Sequence, residues 1–245
     1  MTNMRILVFQ HLAVEHPGIF RDFWAEAGHQ WDTVELDAGE QIPAFDAYDL
    51  LTVMGGPMDV WQEEQLPWLV TEKAAIKHWV QELGRPYLGI CLGHQLLAEA
   101  LGGKVTPMTR PEVGLADVTV TASGASDPLF NGFGSPIETF QWHGAEVSTL
   151  PEGMEILAAN AACPVQAMRW GRHAYGIQYH VEITPDTVRD WESIPEYKAS
   201  LEKALGVERA ASLGAVVLPR IPYFNGASRM VHDNLSSLVN RGRLG

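Results

Sequence analysis

Cys91 lies in Gly89-Ile90-Cys91-Leu92-Gly93, between an apolar run, Tyr87 to Ile90, and a helical pattern in which Leu92, Leu96 and Ala100 recur at a spacing of four. The pattern stops at Gly102-Gly103, which suits a helix C-terminus. A nucleophile flanked by such glycines can ride a sharp strand-to-helix turn that lifts its side chain out of the fold. The free N–H groups and positive dipole end of the following helix favour thiolate over thiol. An isolated cysteine is more often buried and inert. Here the paired glycines and the change from strand to helix weigh toward a nucleophile.

A thiol nucleophile needs a base, and the base needs a carboxylate to hold its tautomer. His180-Val181-Glu182 offers both, at the end of a strand expected over Tyr175 to Glu182. Alternate residues of a strand share a face, so Gly176, Gln178, His180 and Glu182 point one way and Tyr175, Ile177 and Tyr179 the other. The competing reading is a surface His/Glu pair on an edge strand. His94, three residues after Cys91, ranks below His180 as a base because its helix directs it away from the elbow tip.

Two further clusters can serve such a site. Met54-Gly55-Gly56-Pro57 ends a continuous apolar run, Asp49 to Met54, and ligand sites of open α/β sheets lie at the carboxyl ends of strands. The N–H groups of Gly56 and Leu92 together would make an oxyanion hole; read blandly, Gly-Gly-Pro is an ordinary turn. Gln141-Trp142-His143-Gly144 is a candidate pocket lining or, equally, strand-end packing.

The elements that must carry these residues alternate over the first hundred positions. Strands are expected at Met4 to Phe9, Thr33 to Leu36, Asp49 to Met54 and Tyr87 to Ile90. Helices are expected at Ile19 to Ala27, Pro67 to Leu83 and after Cys91. Such alternation argues for a mostly parallel sheet with helices on both faces. Further strands are expected at Ala116 to Thr121, Ile137 to Trp142, Glu155 to Ala159 and Val165 to Trp170, with a helical turn at Asp127 to Phe130. Beyond a helix starting at Asp186, the pattern weakens to helices over Lys198 to Leu205 and Ala227 to Leu238, separated by an apolar loop, Val216 to Phe224.

The chain has 245 residues, 46% of them apolar, enough for one large core. Its 17 Lys and Arg face 30 Asp and Glu, a net charge of -13, which disfavours nucleic acid and anionic membranes as partners. No signal-peptide or membrane-spanning run is expected, and two cysteines are no disulfide framework, so both read as reduced thiols in the cytoplasm. Metal, nucleotide and redox motifs are missing: no His-Glu-x-x-His, no Cys-x-x-Cys, no phosphate loop. No cofactor and no metal are expected.

Taken together, Gly-Ile-Cys91-Leu-Gly-His-Gln95, Met-Gly-Gly56-Pro, Trp-His-Gly144 and Gly-Ile-Gln-Tyr-His180-Val-Glu182 resemble the class I glutamine amidotransferases, above all stand-alone proteins related to the glutaminase part of GMP synthase. The resemblance covers roughly residues 4 to 192. It implies a flavodoxin-like, three-layer α/β fold with a mostly parallel sheet, and a Cys91–His180–Glu182 triad. It also implies an oxyanion hole of Gly56 and Leu92, with Gln95 holding the amino-acid end of glutamine. Residues 1–193 would be the amidotransferase-like domain and 194–245 a mainly helical extension packed on it.

The implied reaction is cleavage of glutamine's γ-amide through a glutamyl thioester, releasing ammonia and glutamate. About fifty residues beyond the family domain are too few for a synthetase, so either a separate synthetase subunit accepts the ammonia or the protein is a free hydrolase. Two alternatives stand beside it: a γ-glutamyl peptidase acting on larger amides, and a catalytically silent regulatory subunit. Val181 replaces a proline frequent in the family, and Ala145 replaces an acidic residue that usually follows His-Gly. A pocket widened at Ala145 would favour the peptidase.

Overall fold

The computed structural model describes residues 3–242. Strands β1 (Arg5–Gln10), β2 (Gln30–Glu35), β3 (Leu50–Val53) and β4 (Tyr87–Ile90) alternate with helices α1 (Phe20–Glu26), α2 (Trp68–Lys77) and α3 (Leu92–Ala100). Then come β5 (Lys104–Val120), α4 (Ala122–Ala125), β6 (Ile137–Thr149), β7 (Met154–Ala159), β8 (Ala167–Trp170) and β9 (Ala174–Ile177). Helices α5 (Thr187–Glu192), α6 (Pro195–Leu205), α7 (Val207–Val217) and α8 (Ile221–Gly242) follow. Among the described residues the strands form one sheet in the order β2-β1-β3-β4-β9-β8-β7-β5-β6. The five from β2 to β9 run parallel, and the rest are antiparallel.

The parallel strands are buried on both faces, as their unbroken apolar runs require. Ile6 and Val8 face a core shared with Phe20, Phe23 and Trp24 of α1 and with Val231 and Leu235 of α8. Leu7 and Phe9 face a second core, shared with Leu69 and Ile76 of α2 and Leu96 and Leu97 of α3. This period of two along β1 separates the outer layers of a three-layer, flavodoxin-like α/β sandwich. A third cluster joins Phe140 and Trp142 of β6 to Trp191, Tyr197, Leu201, Leu213 and Phe224 of the C-terminal helices.

Several expected elements differ from those found. β2 begins at Gln30, not Thr33. The helix expected as one span to Leu83 is α2 followed by a π-helical turn, His78–Glu82. β5 begins at Lys104, twelve residues before Ala116, where it was expected. The register shift between Pro107 and Glu112 lets the strand bulge past Pro107 and Pro111. The apolar loop expected at Val216 to Phe224 is helical: α7 runs through a 3-10 turn, Leu218–Arg220, into α8. Pro219 and Pro222 fall in the first turns of new helices, where a missing N–H costs nothing. Finally, the strand expected as far as Glu182 ends at Ile177.

Candidate active site

Four neighbouring parallel strands, β1, β3, β4 and β9, end at one edge of the sheet and deliver the site. β4 turns into α3 at Cys91, whose φ of 51° and ψ of -103° make it the one non-glycine residue with positive φ among those described. That conformation is strained for an L-residue and is held by the surroundings. The flanking glycines are needed for close approach. A Cβ on Gly93 would lie 2.1 Å from the Val53 carbonyl oxygen, and one on Gly89 would lie 2.4 Å from the backbone of Gly93. The elbow is tied on both sides, because Cys91 N–H donates to Ile177 O at 2.8 Å and Gly93 N–H donates to Met54 O at 3.1 Å.

After Ile177 the chain leaves β4, which has already turned away into the elbow. Gln178 N–H donates to Gln166 O at 2.9 Å, and His180 N–H donates to Phe140 O at 2.8 Å in an isolated bridge to β6. The chain bends at 178, 179 and 182, yet His180 and Glu182 still meet: Nδ1–H of His180 donates to Glu182 Oε1 at 2.7 Å. Nε2 is thereby left free of Glu182, while the Cys91 sulfur lies 3.9 Å from the Trp142 carbonyl oxygen and 3.7 Å from Gln178 Nε2. Burial opposes an imidazolium at His180, but the charge of Glu182 and the facing Cys91 outweigh it and hold the ring well above its ordinary value. The ring packs edge-on against Trp191 at 4.7 Å. Ser228 of α8 donates to the Val181 carbonyl at 2.5 Å, and Ile19 N–H donates to the Glu182 carbonyl at 2.9 Å.

Cys91 opens onto a pocket of about 230 Å³ that is also lined by Gly56, Leu92, Gln95, Trp142, Gly144 and Ala145. As the first residue of α3, Leu92 has an N–H without an intrahelical acceptor. Gln95 Nε2 donates to Ala145 O at 3.2 Å and to Gln178 Oε1 at 3.1 Å, while Gln178 Nε2 points at the Cys91 sulfur at 3.7 Å. Trp142 lines the pocket and its indole N–H donates to Ser200 Oγ at 3.2 Å. His143 also borders the pocket, but its ring nitrogens are engaged by Ala145 O at 3.0 Å and Gln141 Oε1 at 3.1 Å. His94 packs under β9, where a Cβ on Gly176 would lie 2.7 Å from its Nδ1. Burial pushes its value down to about 3, so the ring is neutral.

Glu112, His143 and Cys163 place one ligand-type atom each within 4.8 Å of one another. Both Glu112 oxygens already accept, from Asn160 Nδ2 at 2.7 Å and Gln166 Nε2 at 2.8 Å, and burial pushes the Cys163 thiol up to about 12. Cys163 Sγ faces the Val165 carbonyl at 3.6 Å and His143 Nε2 lies 3.3 Å from Glu112 Oε2, so each member of the trio already has a protein partner.

Sequence reasoning gave no role to four residues here: His11, Glu15 and Tyr197, which it did not single out, and Gln178, which it placed on the face of His180 and Glu182. Glu15 is buried, and its Oε1 accepts from the Tyr197 hydroxyl of α6. A Cβ on Gly55 would lie 2.5 Å from Glu15 Oε2 and 3.5 Å from His180 Cε1, so the carboxyl sits beside the catalytic-type ring. Burial raises Glu15 to about 7, against the opposing pull of His180 and the Tyr197 hydrogen bond. A signal existed for the first two: His11 and Glu15 directly follow β1, at the same sheet edge as Gly56 and Cys91. Tyr197 lies in a helix whose docking position no local pattern reveals.

The sheet edge, the strained cysteine elbow and the buried His–Glu pair define an α/β protein with a cysteine raised at the carboxyl ends of its parallel strands. Residues 21–190 match the model of the class-I glutamine amidotransferases, and the chain belongs to that family. It is 32% identical over 190 residues to the glutamine amidotransferase-like protein YfeJ of Salmonella typhimurium, covering 76% of this chain and 78% of that one. It is 36% identical over 137 residues to a glutamine-hydrolyzing GMP synthase subunit of Sulfurisphaera tokodaii, covering 56% and 68%. Against the longer GMP synthase of Thermomicrobium roseum it is 38% identical over 135 residues, which span only 23% of that protein. Among solved structures, a glutamine amidotransferase from Thermotoga maritima superposes with a TM-score of 0.84 at 27% identity, covering 98% of this chain and 99% of the other. No helix among the described residues is long and apolar enough to cross a membrane.

Proposed function

We propose that this protein hydrolyses the γ-amide of glutamine, or of a γ-glutamyl amide, through a Cys91–His180–Glu182 triad. The observation that carries the reading is the imidazole of His180, locked to Glu182 at 2.7 Å and presented to a sulfur on a strained elbow. The Cys91 thiolate attacks the γ-carbonyl carbon. The resulting oxyanion is taken by the N–H groups of Gly56 and Leu92, at the wall of the same pocket. His180, held as imidazolium by Glu182, gives its proton to the departing nitrogen. A glutamyl thioester is left, and water activated by the neutral imidazole hydrolyses it to glutamate. Gln95, Trp142, His143 and Gly144 are the proposed substrate-side contacts. No cofactor enters any of these steps.

Two destinations for the nitrogen follow. A separate synthetase subunit would receive ammonia, a reading supported by kinship to the GMP synthase of Sulfurisphaera tokodaii. A larger γ-glutamyl amide is favoured by a different observation: α6 contributes Glu196, Tyr197 and Ser200 to the pocket wall, so the extension encloses space beside the elbow. Incubation with glutamine and a panel of γ-glutamyl amides, with ammonia, amine and glutamate measured, separates the two. Release from glutamine alone supports the first and preference for larger amides the second. No product from any substrate, with no labelling of Cys91 by a glutamine-like electrophile, would leave only a silent regulatory role.

A further inference from the structure

We propose that His11, held by Glu72, is a positioning residue that fixes the Gly55–Gly56 peptide with its N–H turned toward the oxyanion. The inference rests on the hydrolytic reading above and assigns a task to a buried pair that the triad does not use. Nδ1 of His11 lies 2.8 Å from the Gly55 carbonyl oxygen, and Nε2 lies 2.8 Å from Glu72 Oε1. Both partners are acceptors, so the ring carries a proton on each nitrogen. Both side chains are fully buried, so with the ring protonated this is a buried ion pair. A pair of that kind is poor at adding stability, because the desolvation of two charges offsets their attraction. Its presence calls for another explanation, and geometry supplies one.

The peptide unit is planar and trans, so a C=O drawn to one side sends the N–H of the next residue to the other. His11 draws the Gly55 carbonyl away from the pocket, and Gly56 lines that pocket with Cys91 and Leu92. Two successive glycines hold such a peptide weakly, since neither has a Cβ to bar the flipped conformation. Among the described residues the Gly56 N–H takes no protein acceptor that would hold it from its own side. The anchor on the Gly55 oxygen is therefore what selects the orientation. The anchor is itself held firmly: Trp68 stacks on the His11 ring at 5.6 Å, and Trp68 and Glu72 occupy successive turns of α2. Burial disfavours the charged ring, but Glu72, with the Gly55 carbonyl beside it, outweighs burial and keeps His11 raised.

The test compares His11→Ala, His11→Asn and His11→Gln in the whole protein. Asn keeps an N–H donor at the position of Nδ1, facing Gly55. Gln places its donor where Nε2 stood, facing Glu72. Expected for His11→Ala is a fall in kcat of about 10²–10³, the usual effect of losing one oxyanion donor, with KM within about threefold of wild type. His11→Asn should restore most of the loss and His11→Gln should not. Alkylation of Cys91 by iodoacetamide, which needs no oxyanion hole, should keep its rate throughout. Equal kcat in wild type and His11→Ala would overturn the proposal, and so would Asn performing no better than Gln. Crystal structures of the Ala and Gln variants give an arm independent of turnover: a residue-55 carbonyl rotated into the pocket supports the anchor, and an unmoved peptide refutes it. Turnover that survives Cys91→Ser would instead sink the hydrolytic reading, so the two failures are distinguishable.

Discussion

The two sides of the catalytic-type contact are held by opposite means. On the cysteine side, backbone meets backbone: Gly89 and Gly93 let the elbow approach β3 so closely that a single Cβ would collide with the Val53 carbonyl at 2.1 Å. On the histidine side, large side chains fill the space. Phe140, Trp142, Trp191 and Tyr197 form stacked and edge-on pairs with ring centroids 5.5 to 6.2 Å apart, and His180 packs into the same group. The first arrangement fixes one residue's torsion angles through close backbone contacts with β3 and β9. The second fixes a ring using segments far apart in the chain. A strained φ needs backbone pressed close on both sides, whereas a buried ring needs only a well-packed slot and one hydrogen bond.

The comparison can be broken most severely at its meeting point. Cys91→Ser should lower turnover by about 10⁴-fold or more while far-UV circular dichroism is unchanged; unaltered turnover would remove Cys91 as nucleophile. His180→Ala should approach that loss. Glu182→Gln should cost less, because orientation suffers while the base remains. If Glu182→Gln proved the more damaging of the two in steady-state assays, the assigned roles would be wrong.

Each frame can then be tested by itself through thermal unfolding. Gly93→Ala forces backbone apart and should leave little folded protein. Trp191→Ala opens a cavity in the aromatic slot and should cost about 3–5 kcal/mol, with activity lost by the surviving fold. Comparable stability of Gly93→Ala and wild type would show that the elbow tolerates a Cβ after all.

The smallest effect sharpens the histidine side. Glu15 rises from an ordinary 4.5 to about 7 in the folded chain, so the folded state binds a proton that the unfolded chain has already lost between those values. Its stabilising share is present below about 4.5 and disappears as pH climbs toward 7. Glu15→Gln keeps an acceptor for Tyr197 and removes the titration. The variant's Tm should gain on wild type between pH 5 and pH 8, and a difference that shrinks over that interval would contradict a neutral Glu15 at low pH.

Much of the cysteine side was legible in the primary structure. Gly-x-Cys-x-Gly between a strand run and a helical period states the elbow outright, and β4 was expected at the very residues, Tyr87–Ile90, where it lies. His180 and Glu182 were legible as a pair although the strand meant to carry them stops at Ile177, since the bridge of His180 to Phe140 holds the ring within reach of a carboxylate two residues on. Misreadings cluster where prolines sit in unexpected roles, at the bulge of β5 and at the helix starts of Pro219 and Pro222. In both places, proline is compatible with the element because the position needs no N–H.

What the chain's order of residues fixed by itself is whatever depends on near neighbours: the strained turn at Cys91, the alternation that buries β1 on both faces, the His–Glu spacing. What only the folded molecule decided are the meetings across long separations. His11 reaches Gly55 and Glu72, Tyr197 reaches Glu15, and Trp191 walls in His180. Local propensity and periodicity act over a few residues, so they can specify an element. The choice of which element packs on which is made by burying whole faces at once, and no short stretch of sequence carries that information.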